Sequence, residues 1–155
     1  GLLIDASNDY LIVGSATNAL GNSDIMVWKV SSLSATLISS FGGFGSGYSL
    51  IKSIGANDAD ESGNKMKFDS SGRIVIAGSA SNGTNLDMVI VRLSSNGVLD
   101  TSFGNSGALL VGDLFGYGGN DVANDLDIDA SGSIAVCGRS DKASGDSNAV
   151  VIHIY

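Results

Sequence analysis

The sequence predicts an all-β fold built from several small antiparallel sheets. Three observations support this prediction. A ten-residue pattern occurs three times, as DASNDYLIVG at residues 5–14, DSSGRIVIAG at 69–78 and DASGSIAVCG at 129–138. The 155 residues include 22 glycines and no proline, and the apolar residues stand in short runs between turn-forming residues. A long repeat period indicates supersecondary units that each need a neighbour to bury their apolar face.

Each copy of the pattern begins with a turn and continues as a strand. In DSSG at 69–72 and DASG at 129–132, Asp comes first and Gly last, as expected where Asp accepts backbone hydrogen bonds and Gly takes positive φ. The strands that follow, at 10–13, 74–77 and 134–137, are apolar at every position. Strands that are apolar on both faces belong to sheets covered on both sides. The blades of a β-propeller meet this condition, because each packs between two neighbours.

A second strand of the unit occurs as DIMVWKV at 24–30, DMVIVRL at 87–93 and NAVVIHI at 148–154. With the LDTSFG segment at 99–104, and its altered copy LISSFG at 37–42, the unit resembles the bacterial delta-60 repeat family. The resemblance covers nearly the whole chain and is best in the middle copy. It implies β-propeller-type blades in secreted or surface-attached bacterial proteins, whose activities are mostly unassigned.

Grouping each strand with the pattern that follows it divides a single propeller-like domain, residues 1–155, into repeats at about 1–47, 48–107 and 108–155. The second repeat then opens with a strand at 48–54 and the third with one at 108–113, whereas the first lacks an opening strand. We therefore expect about three four-stranded antiparallel blades, the first incomplete, in a ring completed by other copies or by missing flanks.

Three blades leave two blade faces uncovered, and such apolar faces predict association. A homo-oligomer is expected, in which a head-to-tail contact closes by rotation. A trimer is slightly preferred over a dimer, by analogy with three-chained surface fibres.

The charge and the apolar runs exclude two kinds of partner. The chain has 16 acidic and 8 basic residues, a formal net charge of −8. Such a surface repels phosphate backbones and anionic lipids, so nucleic acid is not expected. The longest apolar runs span about seven residues, far fewer than the roughly 20 of a spanning helix, so membrane insertion is not expected.

The sequence predicts no catalytic residue. The single histidine, His153, takes the strand position of Lys29 and Arg92, which favours a strand-end cation over a general base. Hydrolysis by paired carboxylates stays open through Asp58, Asp60, Glu61 and Asp121. The single cysteine, Cys137, replaces small apolar residues of the other copies and is expected to be a buried apolar thiol.

One segment has the character of a cation-binding loop. In NDADESGN at 57–64, alternate oxygen-bearing side chains are followed by Gly at the sixth place from Asp58, as at the start of a Ca²⁺ loop. The candidate ligands are Asp58, Asp60 and Ser62. The twelfth place holds Asp69, which is already assigned to a turn, so a solvated acidic loop is the alternative. No other cofactor is expected.

Aromatic rings stand between glycines in two loops and suggest ligand contacts. Rings beside Asp and Asn suit the faces and hydroxyls of sugars, or a protein epitope. The alternative is that the rings fill a blade junction or an oligomer interface. The candidate ligand-binding residues are Phe44, Tyr48, Phe115, Tyr117, Asn120 and Asp121.

These observations favour a non-catalytic extracellular recognition or adhesion module that binds cell-surface glycan, as in a bacterial adhesin or fibre tip. One alternative is a structural propeller segment without a ligand of its own. The other is a secreted, carboxylate-dependent glycoside hydrolase.

Overall fold

A computed structural model describes residues 1–43, 45–56 and 59–155. These residues form eleven β-strands in three antiparallel sheets and no helix, which confirms the all-β prediction. The first sheet contains β1 (Leu2–Ile4), β2 (Tyr10–Thr17), β3 (Ser23–Val30) and β4 (Tyr48–Ile51). The second contains β5 (Glu61–Phe68), β6 (Ile74–Ser81), β7 (Leu86–Leu93) and β8 (Ala108–Val111). The third contains β9 (Gly118–Ile128), β10 (Ile134–Lys142) and β11 (Ser147–Ile154).

The strands of each sheet pair in chain order, and this order corrects the predicted grouping. Strand β4 pairs with β3, with Tyr48 opposite Trp28, and β8 pairs with β7, with Ala108 opposite Val91. These two strands therefore complete the first and second sheets and do not open the second and third. The prediction that the first blade is the incomplete one was wrong, since the three-stranded sheet is the third.

The segment before each of these strands explains the pairing. The amide of Ile38 donates to the carbonyl of Lys29, and the amide of Lys29 donates to the carbonyl of Gly47. In the second sheet, Asp100 and Arg92 repeat the first of these two bonds. The LISSFG and LDTSFG segments thus turn the chain back along the strand they follow, so that the next strand joins the outer edge of the same sheet.

Both faces of the second sheet are buried, as the all-apolar strands predict. One face packs against the first sheet through a cluster that includes Leu11, Val13, Ile25, Val27, Ile74, Ile76, Val89 and Val91. The other face packs against the third sheet through Val75, Ala77, Met88, Ile90, Leu126, Ile134, Val136 and Val150. The second sheet therefore lies between two neighbours, which is the arrangement of propeller blades.

Each terminal sheet has one face that no other described sheet covers. The side chains that the strand register places on the first-sheet outer face include Leu2, Ile4, Tyr10, Ile12, Met26, Trp28, Val30, Tyr48 and Leu50. On the third-sheet outer face it places Ala135, Cys137, Ala149, Val151 and His153, together with the charged residues Asp125, Asp127 and Arg139. Cys137 is exposed, so the prediction that it is buried was wrong for the single chain. The reason is that no other described sheet covers this face of the third sheet.

The three pattern aspartates form turns as predicted. The Oδ1 atom of Asp69 accepts hydrogen bonds from the amides of Ser71 and Arg73, at 2.9 Å each. Asp5 and Asp129 make the same two bonds with residues two and four places on. Each turn therefore directs the chain into the strand that follows it.

None of the described residues form a helix long and apolar enough to cross a membrane.

Candidate functional site

The loop between β8 and β9 presents two aromatic rings to solvent. Phe115 is 48% exposed and Tyr117 is 42% exposed. Their ring centroids lie 5.8 Å apart with an interplanar angle of 33°. The Nζ atom of Lys142, from the end of β10, lies 5.4 Å from the Tyr117 centroid. We call Phe115, Tyr117 and Lys142 the aromatic site.

The loop holds these rings outward because its other groups are fixed. The amide of Asp113 donates to Oδ2 of Asp121 at 2.8 Å, and the amide of Gly118 donates to Oδ1 of Asp113 at 3.2 Å. Leu114 packs against the core between the second and third sheets. Gly116 has a φ of 69°, a conformation that glycine adopts without strain. The residues that flank the rings therefore anchor the loop.

Asn120 and Asp121 support the loop and the strand beside it. The Oδ1 atom of Asn120 accepts a hydrogen bond from the amide of Leu86 at 2.9 Å. Asp121 is 1% exposed, and its Oδ2 is bonded to the Asp113 amide. Of the predicted ligand contacts, the structure therefore brings Phe115 and Tyr117 together at the surface. Asn120 and Asp121 instead bind the backbone amides of Leu86 and Asp113.

The other two predicted aromatic contacts are not part of this site. Tyr48 belongs to β4 of the first sheet, where its side chain is opposite Trp28 on the first-sheet outer face. Phe44 lies outside the described residues. Tyr48 therefore occupies the setting of the alternative interpretation, an aromatic ring on an uncovered blade face.

The predicted Ca²⁺ ligands have other partners where they are described. Oδ1 of Asp60 accepts a hydrogen bond from the amide of Ser23 at 2.8 Å. Oγ of Ser62 lies 3.1 Å from Oγ of Ser79. Asp58 lies outside the described residues. Among the residues that are described, no three His, Cys, Asp or Glu side chains are grouped so as to hold a metal ion, and the Ca²⁺ site stays a prediction.

Two buried acids hold the connections between sheets. Oε1 of Glu61 accepts a hydrogen bond from the amide of Ile54 at 2.7 Å. Asp121, which is 60 residues further on, binds the amide of Asp113 in the same way. Burial raises the pKa of Glu61, and the nearby charge of Asp24 raises it further. Sequence reasoning proposed these acids for hydrolysis and missed this role, although their spacing equals the repeat period.

An open cleft of about 970 Å³ lies between the outer strands β4 and β8. Its lining is mostly apolar and includes Ile51, Ile54, Leu99, Leu109 and Leu110, and it also contains Lys52, Asn105 and the partly exposed ring of Tyr48. Such a mainly apolar lining suits an apolar group. The aromatic site differs in having two rings in contact with each other at the surface, with a cation beside one of them.

Residues 70–103 match a family described as "Domain of unknown function (DUF5122) beta-propeller". The matched segment runs from the DSSG turn through β6 and β7 to the Phe103 of LDTSFG. No curated protein sequence is significantly similar to the chain. The match and the three packed antiparallel sheets together support a protein of β-propeller-type repeats.

Proposed function

We propose that this protein is a non-catalytic recognition module that binds glycan at the aromatic site. The observation that carries the proposal is the pair formed by Phe115 and Tyr117. Both rings are large, nearly half exposed and in contact with each other. Burying such rings in the core would stabilise the fold, so their outward position favours a role in binding.

The chemistry of the site suits a sugar. The face of an aromatic ring packs against the C–H groups of a pyranose, and the Tyr117 hydroxyl and the Lys142 ammonium can donate hydrogen bonds to its hydroxyls. The turn after Lys142 adds Ser144 and Asp146, whose side chains lie 3.4 Å apart. The Lys142 ammonium can also pair with the carboxylate of an acidic sugar, against the repulsion of the net negative charge of the chain.

The resemblance to the delta-60 repeat family, and the extracellular setting that it implies, are part of this proposal. We propose that the protein works outside a bacterial cell, secreted or attached to the surface as part of an adhesin or fibre tip. Glycan sites of this size bind weakly one at a time, and several copies on one assembly raise the avidity without new contacts. A homo-oligomer, with a trimer preferred over a dimer, therefore fits an adhesive role.

The placement of the acids supports a non-catalytic role over hydrolysis. The carboxylates of Asp60, Glu61 and Asp121 each accept a hydrogen bond from a backbone amide. Glu61 and Asp121 are also buried, so neither faces a substrate at the surface. His153 stacks edge to face on Tyr155 at 4.3 Å. These contacts explain the residues as supports of the fold.

A glycan array with the labelled protein tests the proposal. The wild-type chain should bind a restricted set of glycans, and Tyr117→Ala and Phe115→Ala should abolish the signal. Tyr117→Phe should keep most of it, because the ring face is retained. Tyr155→Ala is the matched control, since Tyr155 is an exposed tyrosine just after β11 and outside the aromatic site, so its replacement should not affect binding.

Two results would contradict the proposal. Absence of binding to every glycan would favour a structural propeller segment without its own ligand. Cleavage of a bound oligosaccharide that disappears in Asp121→Asn would favour the hydrolase instead. Circular dichroism of each variant verifies that the sheets are intact.

A further inference from the structure

The two uncovered sheet faces are made of positions that are buried elsewhere in the same molecule. Ile12 is 40% exposed, whereas Ile76 and Val136, at the same position of the next two repeats, are fully buried. Cys137 is exposed, whereas Val13 and Ala77, its counterparts, are buried. The outer faces thus continue the two interfaces already present between the sheets, and each lacks the neighbour that its counterparts have.

The first-sheet outer face carries larger side chains than its counterparts. Tyr10 occupies the position held by Ile74 in the second repeat and Ile134 in the third. Trp28 occupies the position of Val91. Because sheet interfaces pack to nearly constant density, such extra bulk needs a partner surface with smaller side chains.

The third-sheet outer face carries smaller side chains than its counterparts. Ala135 occupies the position of Leu11 and Val75, which are buried in the first and second sheets. Ala149 occupies the position of Met88. The reduced volume on this face therefore complements the extra bulk on the first-sheet outer face of the same sequence.

We infer that the first-sheet outer face of one copy of this protein packs against the third-sheet outer face of a second copy, head to tail. This inference rests on the oligomer of the proposed function and adds the two surfaces that meet. The contact continues the packing order within one chain. There the first sheet packs against the second and the second against the third, and in the contact the third sheet packs against the first sheet of the next copy.

The charged groups near the third-sheet outer face already have partners within the chain. Lys65 lies 3.4 Å from Asp125, Lys67 lies 2.6 Å from Asp127, and Arg139 lies 3.6 Å from Asp141. Docking of an apolar sheet therefore leaves these pairs at the edge of the contact and does not require an isolated charge to be buried. The residues that continue from Asp125 and Asp127 across the face, Ala135, Cys137 and the 74% exposed Val151, are apolar.

Each face contains one natural reporter. Trp28 is the only tryptophan and lies on the first-sheet outer face, and Cys137 is the only cysteine and lies on the third-sheet outer face. As the protein concentration rises, the emission of Trp28 should shift to shorter wavelength and the thiol of Cys137 should lose reactivity toward a disulfide reagent. Both changes should follow the same concentration dependence, because one contact covers both residues.

Charge substitutions on each face test the direction of the contact. Ile12→Glu and Val151→Glu should each abolish self-association, measured as solution mass by light scattering against the 15.6 kDa chain. Mixed together, the two variants should form a one-to-one complex through their intact faces, which also shows that both are folded. Leu33→Glu is the control, because Leu33 is exposed outside both faces and its substitution should leave the mass unchanged.

Three results would overturn the inference. They are a wild-type chain that stays monomeric at all concentrations, a Val151→Glu variant that still self-associates, and a mixture that forms no complex. Glycan binding separates this inference from the proposed function, since isolated Ile12→Glu retains the aromatic site. If Ile12→Glu binds glycan as a monomer, the proposed function stands whatever the outcome for the interface.

Discussion

Replacement of the same repeat position in two sheets measures how much the packing between sheets stabilises the fold. Ile76 lies at the centre of the second sheet, opposite Met66 on one side and Val91 on the other, and it is 0% exposed. Ile12 is its counterpart in the first sheet and is 40% exposed. Ile76→Ala and Ile12→Ala remove the same atoms from the same strand position. They differ mainly in whether a neighbouring sheet covers the side chain, and also in cross-strand neighbours, which are Leu2 and Trp28 for Ile12.

The expected costs follow from burial. Removal of three carbon groups forfeits about 2.4 kcal/mol of transfer free energy when the side chain is fully buried, at about 0.8 kcal/mol each. Ile76→Ala also leaves a cavity between two sheets, which raises its cost to about 3–5 kcal/mol. Ile12 has about 60% of its side chain buried, so Ile12→Ala should cost about 1.4 kcal/mol and leave no closed cavity.

Urea unfolding followed by far-ultraviolet circular dichroism gives the two free energies. The protein is kept dilute so that the chain is monomeric, and the slopes of the transitions are compared to verify that the same surface is exposed on unfolding. A difference of about 2 kcal/mol between the variants supports the packing described above. Equal costs would refute it, since both isoleucines would then have similar surroundings.

The remaining predictions concern two carboxylates. Asp69→Ala should destabilise the fold by about 2–3 kcal/mol, because the amides of Ser71 and Arg73 lose a charged acceptor. Asp69→Asn retains the acceptor oxygen and should cost less. Equal losses of stability for the two variants in thermal unfolding would contradict this prediction. Burial raises the pKa of Glu61 in the folded state. The contribution of Glu61 to the free energy of unfolding is therefore largest below pH 4.5, the ordinary pKa of a glutamate, and it is lost as the pH rises. Glu61→Gln should therefore gain stability relative to wild type between pH 4 and pH 8, and a pH-independent difference would disprove it.

The candidate site could be predicted from the sequence only in part. Gly116 follows Phe115, and Gly116 and Gly118 stand on both sides of Tyr117, which indicated rings in a loop. The structure places both rings at the surface. Lys142 could not be foreseen, because it lies on another strand and meets the loop through the pairing of β9 with β10. The roles of Asn120 and Asp121 could not be predicted either. The same side-chain oxygen can accept a hydrogen bond from a backbone amide or from a ligand, and the sequence does not distinguish the two.

The sequence by itself determined the repeated strands, their turns and the alternation of side chains between the two faces of these strands. These features depend on residues close together in the chain: alternation sets the face, and the Asp of each turn bonds to amides two and four residues on. The tertiary structure decided which sheet each strand joins, because that depends on pairing between residues far apart in the chain, such as Trp28 with Tyr48 and Val91 with Ala108. It also decided which apolar faces are covered, since an isoleucine at a repeat position is the same residue with or without a neighbouring sheet.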